Sequence, residues 1–92
     1  MGKKTLKNLL VYQKAELISD LAWEIVKILP HRENHPTGNQ FIRCIDSISA
    51  NISEGYGRFT YKDKTHYFIM ARGSLNEAEN WRKKLEKRYH LP

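Results

Sequence analysis

Two histidines are the first residues of this sequence whose spacing is typical of a metal site. His31 and His35 lie four residues apart, a separation that directs two imidazoles toward one ion when both are on a helix. Pro30 and Pro36 flank the pair, so we expect a connecting loop with solvated histidines. Zinc needs three or four converging ligands, and the sequence offers no obvious third ligand for this pair. The sequence therefore predicts no metal site.

One cysteine and two glutamates remain as candidates for covalent or acid–base chemistry. Cys44 lies in the apolar stripe of a predicted helix, where a lone thiol packs as a small hydrophobic side chain, and no histidine is placed to lower its pKa. Glu54 and Glu77 could pair across a helical hairpin, but no pocket motif accompanies them. We therefore predict no catalytic residues and no cofactor. A single cysteine also excludes an internal disulfide, which favours a cytoplasmic location.

The basic residues point to an anionic partner. The sequence of 92 residues has 16 lysines and arginines against 10 aspartates and glutamates, a net charge of +6. Basic residues form an N-terminal arm and a cluster beside Tyr56, Phe59 and Tyr61, whose rings are suited to stacking on unpaired bases. The alternative is a solvated helix start whose rings belong to the core. The candidate nucleic-acid contacts are Lys3, Lys4, Lys7, Arg58, Lys62 and Lys64.

Helical periodicity accounts for nearly all of the chain. Apolar residues recur at three- and four-residue steps over about 10–29, 38–55 and 61–89, and no useful stretch alternates as a strand does. The predicted fold is all-α, an antiparallel up-down helical bundle in a single domain, 1–92. The first and third helices are apolar on two sides. We therefore expect a fourth helix or a second subunit to cover part of them.

Two stretches closely resemble a known family. Residues 47–58, SISANISEGYGR, and 71–77, ARGSLNE, are similar to bacterial four-helix-bundle proteins encoded in 23S rRNA intervening sequences. Residues 11–15, VYQKA, and 40–43 fit the same pattern, so the resemblance covers nearly the whole chain. That family is similar in turn to the accessory variability determinant of diversity-generating retroelements. The resemblance implies a homopentamer that binds RNA or DNA, with a reverse transcriptase or another protein as a further partner.

The resemblance places family motif positions on the second and third helices. They are Asn51, Glu54, Gly55, Arg58, Arg72, Gly73, Ser74 and Glu77. Their types favour packing and assembly over ligand contact, because a hairpin would bring Glu54 toward Arg72 in a partly buried ion pair. Gly73 interrupts a helical pattern at a cost of about 1 kcal/mol relative to alanine, which predicts the close approach of another helix, within the bundle or across a subunit contact.

The sequence also departs from the family pattern. Arg43 follows Ile42 where an arginine pair is usual, and Asp46 replaces an apolar residue, which weakens a nucleic-acid face on this part of the second helix. Ser49 stands where proline is common. Relatives continue into a fourth helix, whereas this sequence stops at Pro92, so the resemblance implies that one helix of the bundle is missing.

These observations predict a non-enzymatic, oligomeric helical-bundle protein whose basic surface binds nucleic acid as an accessory factor. A second hypothesis, from another class, is a structural or protein-docking subunit that recognises a partner polypeptide through its exposed apolar face. The N-terminal sequence lacks a signal-peptide pattern, and no stretch approaches the ~20 apolar residues of a membrane span. We therefore expect no membrane association.

Overall fold

The computed structural model describes residues 5–30 and 35–89, which form a bundle of three α-helices. A short 3₁₀ helix, Leu6–Asn8, precedes α1 (Leu10–Val26), α2 (Pro36–Tyr56) and α3 (Tyr61–Tyr89). No strand occurs in either described range. The prediction of an all-α helical bundle is confirmed. His31 and His90 lie outside the described residues.

The first helix ends at Val26, three residues before the end that periodicity predicts. The amides of Ile28 and Leu29 donate to carbonyls three residues back, at 3.3 and 3.1 Å, which is the tighter pattern of a final turn. Leu29 is nevertheless buried, because the chain turns it toward Gly38 at the start of α2. Apolar residues therefore continue at helical spacing beyond the last α-helical hydrogen bond.

His35 begins the second helix, and its predicted place as a solvated loop histidine is wrong. Only 6% of the residue is exposed. Its Nδ1 accepts a hydrogen bond from the Gly38 amide at 3.0 Å, so the side chain caps the free N–H groups of α2. Its Nε2 lies 2.6 Å from the Tyr89 hydroxyl at the end of α3. Pro36 suits the first helical position, where its missing N–H costs nothing.

The third helix begins with a threonine cap. The Thr60 hydroxyl accepts a hydrogen bond from the Asp63 amide at 3.1 Å, and the Thr60 carbonyl accepts from the Lys64 amide at 3.0 Å. Asp63 also places a carboxylate in the first turn, where the helix dipole favours negative charge. These contacts fix the start of α3 directly after the short connection from α2.

The second helix lies between the other two and supplies much of the core. α1 and α3 each pack antiparallel to α2, but they make little direct contact with each other. One cluster contains the buried apolar residues, which are Ala15, Ala22, Val26, Leu29, Phe41, Cys44, Ile45, Ile48, Ile52, Ala71, Ala78 and Leu85. The Ser19 hydroxyl also joins α1 to α2 by donating to Asp46 at 2.5 Å. Because each outer helix is covered on one face, apolar side chains on their other faces stay exposed.

Candidate nucleic-acid interface

The connection between α2 and α3 carries two aromatic rings in solvent. Phe59 is 98% exposed and Tyr61 is 84% exposed. Lys62 follows them, also exposed, and makes no ion pair within residues 5–30 and 35–89. We call Phe59, Tyr61 and Lys62 the aromatic turn. The alternative in which both of these rings belong to the core is therefore wrong.

Arg58 precedes the aromatic turn and is held by contacts within the chain. Its guanidinium pairs with Glu54 at 3.1 Å and donates to the Tyr67 hydroxyl at 2.8 Å. The same group lies 4.8 Å from the centre of the Tyr67 ring, in a cation–π arrangement. The buried Arg58 Nε has no hydrogen-bond partner among the residues that the structure describes. The structure thus places this predicted nucleic-acid contact where it also joins the end of α2 to α3.

Lys64 is the second predicted contact that packs against its own chain. Its Nζ donates to the Tyr56 carbonyl at 3.2 Å and lies 5.8 Å from the centre of the Tyr56 ring. Both residues are half-buried. These contacts close the last turn of α2 and hold the aromatic turn in place.

Lys7 is the described part of the predicted basic arm. It lies in the 3₁₀ helix with an exposed side chain, and its carbonyl accepts a hydrogen bond from Gln13 at 2.9 Å. Val11 shares a cavity with Ile52 and Phe68, so the start of α1 and the aromatic turn lie at one end of the bundle. The predicted contacts Lys3 and Lys4 lie outside the described residues.

The predicted ion pair between Glu54 and Arg72 is wrong. Glu54 pairs instead with Arg58, one helical turn later on α2. Arg72 instead lines a cavity that Val11 and Ile48 also line. Glu54 therefore pairs with a residue of its own helix, four positions later, and not with Arg72 across the hairpin.

A comparison with known families identifies the chain. A family model described as 23S rRNA-intervening sequence protein matches residues 7–92. The chain belongs to this family. No match to the chain was found among curated proteins or among solved structures. Membership confirms the resemblance inferred from residues 47–58 and 71–77. The link to diversity-generating retroelements stays a prediction.

The family motif residues of this intervening-sequence protein divide between packing and surface positions. Asn51 is half-buried and donates to the Ser47 carbonyl at 2.8 Å, inside α2. Gly55 is buried, and a Cβ on it would lie 3.1 Å from atoms of both Tyr67 and Phe68. Ser74 is half-buried on α3. Gly73 is exposed, with nothing within 4 Å of an added Cβ, so no other helix of the described residues approaches it closely, and an approach across a subunit contact stays a prediction.

Replacement of the two motif glycines, Gly55 and Gly73, by alanine is expected to change the free energy of unfolding in opposite directions. Gly55→Ala would push a Cβ against Tyr67 and the Lys64 carbonyl, and we expect it to lower the free energy of unfolding by about 1–2 kcal/mol. Gly73→Ala meets no neighbour and should raise it by about 0.5–1 kcal/mol, because alanine is the better helix former. Urea unfolding followed by the helical circular-dichroism signal measures both. Equal effects of the two substitutions would contradict this packing.

Cys44 of α2 and Glu77 of α3 lie next to each other. Burial and the neighbouring Glu77 carboxylate raise the pKa of the Cys44 thiol, so the thiol is held in its unreactive, protonated form. A shallow polar cavity of about 220 Å³ lies here, also lined by Gln40, Arg43 and Ser47. No cluster of three or more metal-binding side chains occurs among the described residues.

An apolar groove runs between α1 and α3, over α2. Its first section has a volume of about 370 Å³ and is lined by Val11, Ile52 and Phe68. Its second section, of about 290 Å³, extends to Ile25. Leu75 of α3 lines both sections. The groove exists because α1 and α3 each contact α2 without closing on each other.

Two arginines of α3 border this groove and differ in their partners. Arg82 donates to Glu79 at 3.0 and 2.6 Å and also to Glu86. The hydrogen bond from Arg82 lowers the pKa of Glu79, and the two carboxylates raise the pKa of the arginine. Arg72 makes no polar contact with another described residue. Its charge is therefore available to a molecule that enters the groove.

No helix of the described residues is long and apolar enough to cross a membrane.

Proposed function

We propose that this member of the 23S rRNA-intervening sequence protein family is a non-enzymatic accessory protein that binds single-stranded RNA at its aromatic turn. The exposure of Phe59 and Tyr61 carries the proposal. A ring of this size in water gains little for the fold, whereas an unpaired base that stacks on it buries both surfaces. The family description and the net charge of +6 support an anionic partner.

The aromatic turn has the parts that single-strand binding requires. The rings of Phe59 and Tyr61 offer two stacking platforms separated by one residue, and Lys62 supplies a positive charge next to them. Arg58 and Lys64 hold this surface through Tyr67 and Tyr56 and add positive potential. Unpaired bases are the favoured ligand because the bases of a duplex are already stacked.

Self-association is the second part of the proposal. Several copies in one assembly would present several aromatic turns to one RNA strand, which raises the effective affinity without any new contact. The exposed apolar side chains of α1 and α3 support association, and the family resemblance favours five copies. A basic assembly of this kind would act with other proteins, such as a reverse transcriptase, in the cytoplasm.

A titration of the full chain with an unstructured RNA oligonucleotide at 50 and 200 mM salt tests RNA binding. We expect three phosphate contacts to give about 20-fold weaker binding at the higher salt, since single strands contribute a slope of about −0.7 per neutralised phosphate. RNA duplex of equal length is the matched ligand and should bind more weakly. Absence of binding at low salt, or an affinity that does not depend on salt concentration, would reject the proposal.

The groove supports a second candidate function, the docking of a partner polypeptide. An amphipathic helix would fit between α1 and α3, with its apolar side on Leu75 and a carboxylate facing Arg72. Light scattering separates the two functions. Docking would be favoured if the protein stays monomeric, does not bind RNA and gains helical order only with a partner protein.

A further inference from the structure

A stripe of polar side chains on α2 leads from the aromatic turn to the shallow polar cavity beside Cys44. Five polar residues of this helix follow one another at steps of three and four, so they lie on one flank. We call them the α2 polar stripe; they are Gln40, Arg43, Ser47, Asn51 and Glu54. At one end, Glu54 pairs with Arg58, the residue directly before Phe59. At the other end, the first three residues of the stripe line the cavity.

The cavity lies within reach of a strand held at the aromatic turn. Glu54 and Cys44 are ten residues apart on α2, which is about 15 Å along the helix. Asp46, whose charge was expected to weaken a nucleic-acid face here, accepts a hydrogen bond from Ser19 of α1. Arg43, in contrast, shares the cavity with Glu77 of α3. The acidic residue therefore lies on the side of α2 that contacts α1, and the arginine lies on the side that contacts α3.

The cavity contains two opposite charges that do not neutralise each other. Arg43 and Glu77 both line it and are exposed, and neither makes an ion pair within residues 5–30 and 35–89. A cationic ligand would be attracted by the carboxylate but repelled by the guanidinium, and an anionic ligand would meet the reverse. The ligand that suits both groups is neutral, with hydrogen-bond donors on one edge and acceptors on the next. The volume of about 220 Å³ favours a small ligand, such as a single base.

We propose that this cavity binds one guanine base between Arg43 and Glu77. The N1–H and the N2 amino group of guanine donate to the Glu77 carboxylate, and O6 and N7 accept from the Arg43 guanidinium. The base comes either from a free nucleotide or from an RNA strand held at the aromatic turn. The second source rests on the proposed RNA binding. In a strand, stacking at the turn raises the effective concentration of the base at the cavity, so the strand should bind more tightly than the free nucleotide.

The other three bases are poorer partners for the Glu77 carboxylate. Adenine and cytosine each place a ring nitrogen acceptor beside one amino group, and uracil offers one N–H between two carbonyls. Guanine alone presents two adjacent donors. An acceptor set against the carboxylate leaves both groups without a partner, and this cost selects against the wrong base.

Base substitution in short oligouridine strands tests the proposal on the wild-type full chain. By fluorescence anisotropy, we expect a strand with one central guanine to bind about tenfold more tightly than a strand with adenine there. Inosine lacks the N2 amino group and 7-deazaguanine lacks N7. Each analogue should lose part of the guanine preference, about threefold or more. These measurements do not depend on the folding of any variant.

Three variants assign the preference to the two charged residues. Glu77→Gln replaces an acceptor oxygen with a donor and should abolish the preference for guanine over adenine, without weakening the binding of plain oligouridine. Arg43→Gln should bind guanine and 7-deazaguanine strands equally, because the contact with N7 is lost. Glu16→Gln is the matched control, an exposed carboxylate on α1 whose loss should leave the preference unchanged. All three positions are exposed, so the helical circular-dichroism signal should stay at its wild-type strength.

The outcomes separate the guanine site from the wider proposal. Strands that bind equally well whatever the central base would overturn the guanine site while leaving RNA binding standing. A guanine preference that neither Glu77→Gln nor Arg43→Gln changes would also overturn it.

A titration with guanosine monophosphate, with adenosine monophosphate as its control, distinguishes the two sources of the base. Selective binding of the guanosine nucleotide without any RNA binding would support the cavity and reject the proposed function. A guanine preference seen only in strands would identify RNA as the source. Absence of both would overturn both proposals.

Discussion

Replacement of His35 by alanine is expected to lower the free energy of unfolding by about 2–3 kcal/mol, the largest loss we predict for one residue. The substitution removes the cap on the Gly38 amide at the start of α2, worth about 1 kcal/mol. It also removes the hydrogen bond with Tyr89 and empties a buried position, which together cost a similar amount or more. Urea unfolding followed by circular dichroism measures the loss.

Matched variants divide this effect between the two contacts of His35. Asparagine is a good helix cap, so His35→Asn should keep the bond from the Gly38 amide and recover about 1 kcal/mol relative to alanine. Tyr89→Phe leaves the cap intact and removes only the hydroxyl, so we expect a loss of about 1 kcal/mol. If His35→Ala cost no more than Tyr89→Phe, the cap would contribute nothing.

The role of His35 illustrates what the sequence could not supply. Apolar periodicity located all three helices, because each buries one stripe of side chains against its neighbours. The flanking prolines predicted a loop, and Pro36 does mark the helix start. Burial of the histidine, however, depends on Tyr89, which lies 54 residues later in the chain. No local pattern contains that contact.

The candidate site shows the same division between local and long-range information. Composition and clustering located the basic and aromatic residues at the turn, but did not separate Lys62, exposed in solvent, from Arg58 and Lys64, which pack against tyrosines. That separation depends on which residues of α3 lie opposite the end of α2. The same cause explains the glycines, because Gly55 faces Tyr67 whereas Gly73 faces solvent.

Removal of both rings of the aromatic turn is expected to weaken RNA binding by at least about 30-fold. Each aromatic platform contributes about 1–3 kcal/mol per stacked base, and Phe59→Ala with Tyr61→Ala removes two of them. The folded state should tolerate the change, since neither ring is buried. Trp23→Ala is the matched control, an exposed aromatic on α1 whose loss should leave RNA affinity unchanged.

Salt dependence separates stacking from charge at this surface. Lys62→Gln should weaken binding less than the ring substitutions and reduce the slope against salt by about 0.7, the loss of one phosphate contact. The double ring variant should bind more weakly at every salt concentration while keeping the wild-type slope, because stacking releases no counterions. A double ring variant with wild-type affinity would mean that phosphate attraction alone holds the RNA. The 98% exposure of Phe59 would then be better explained by a protein partner that covers it.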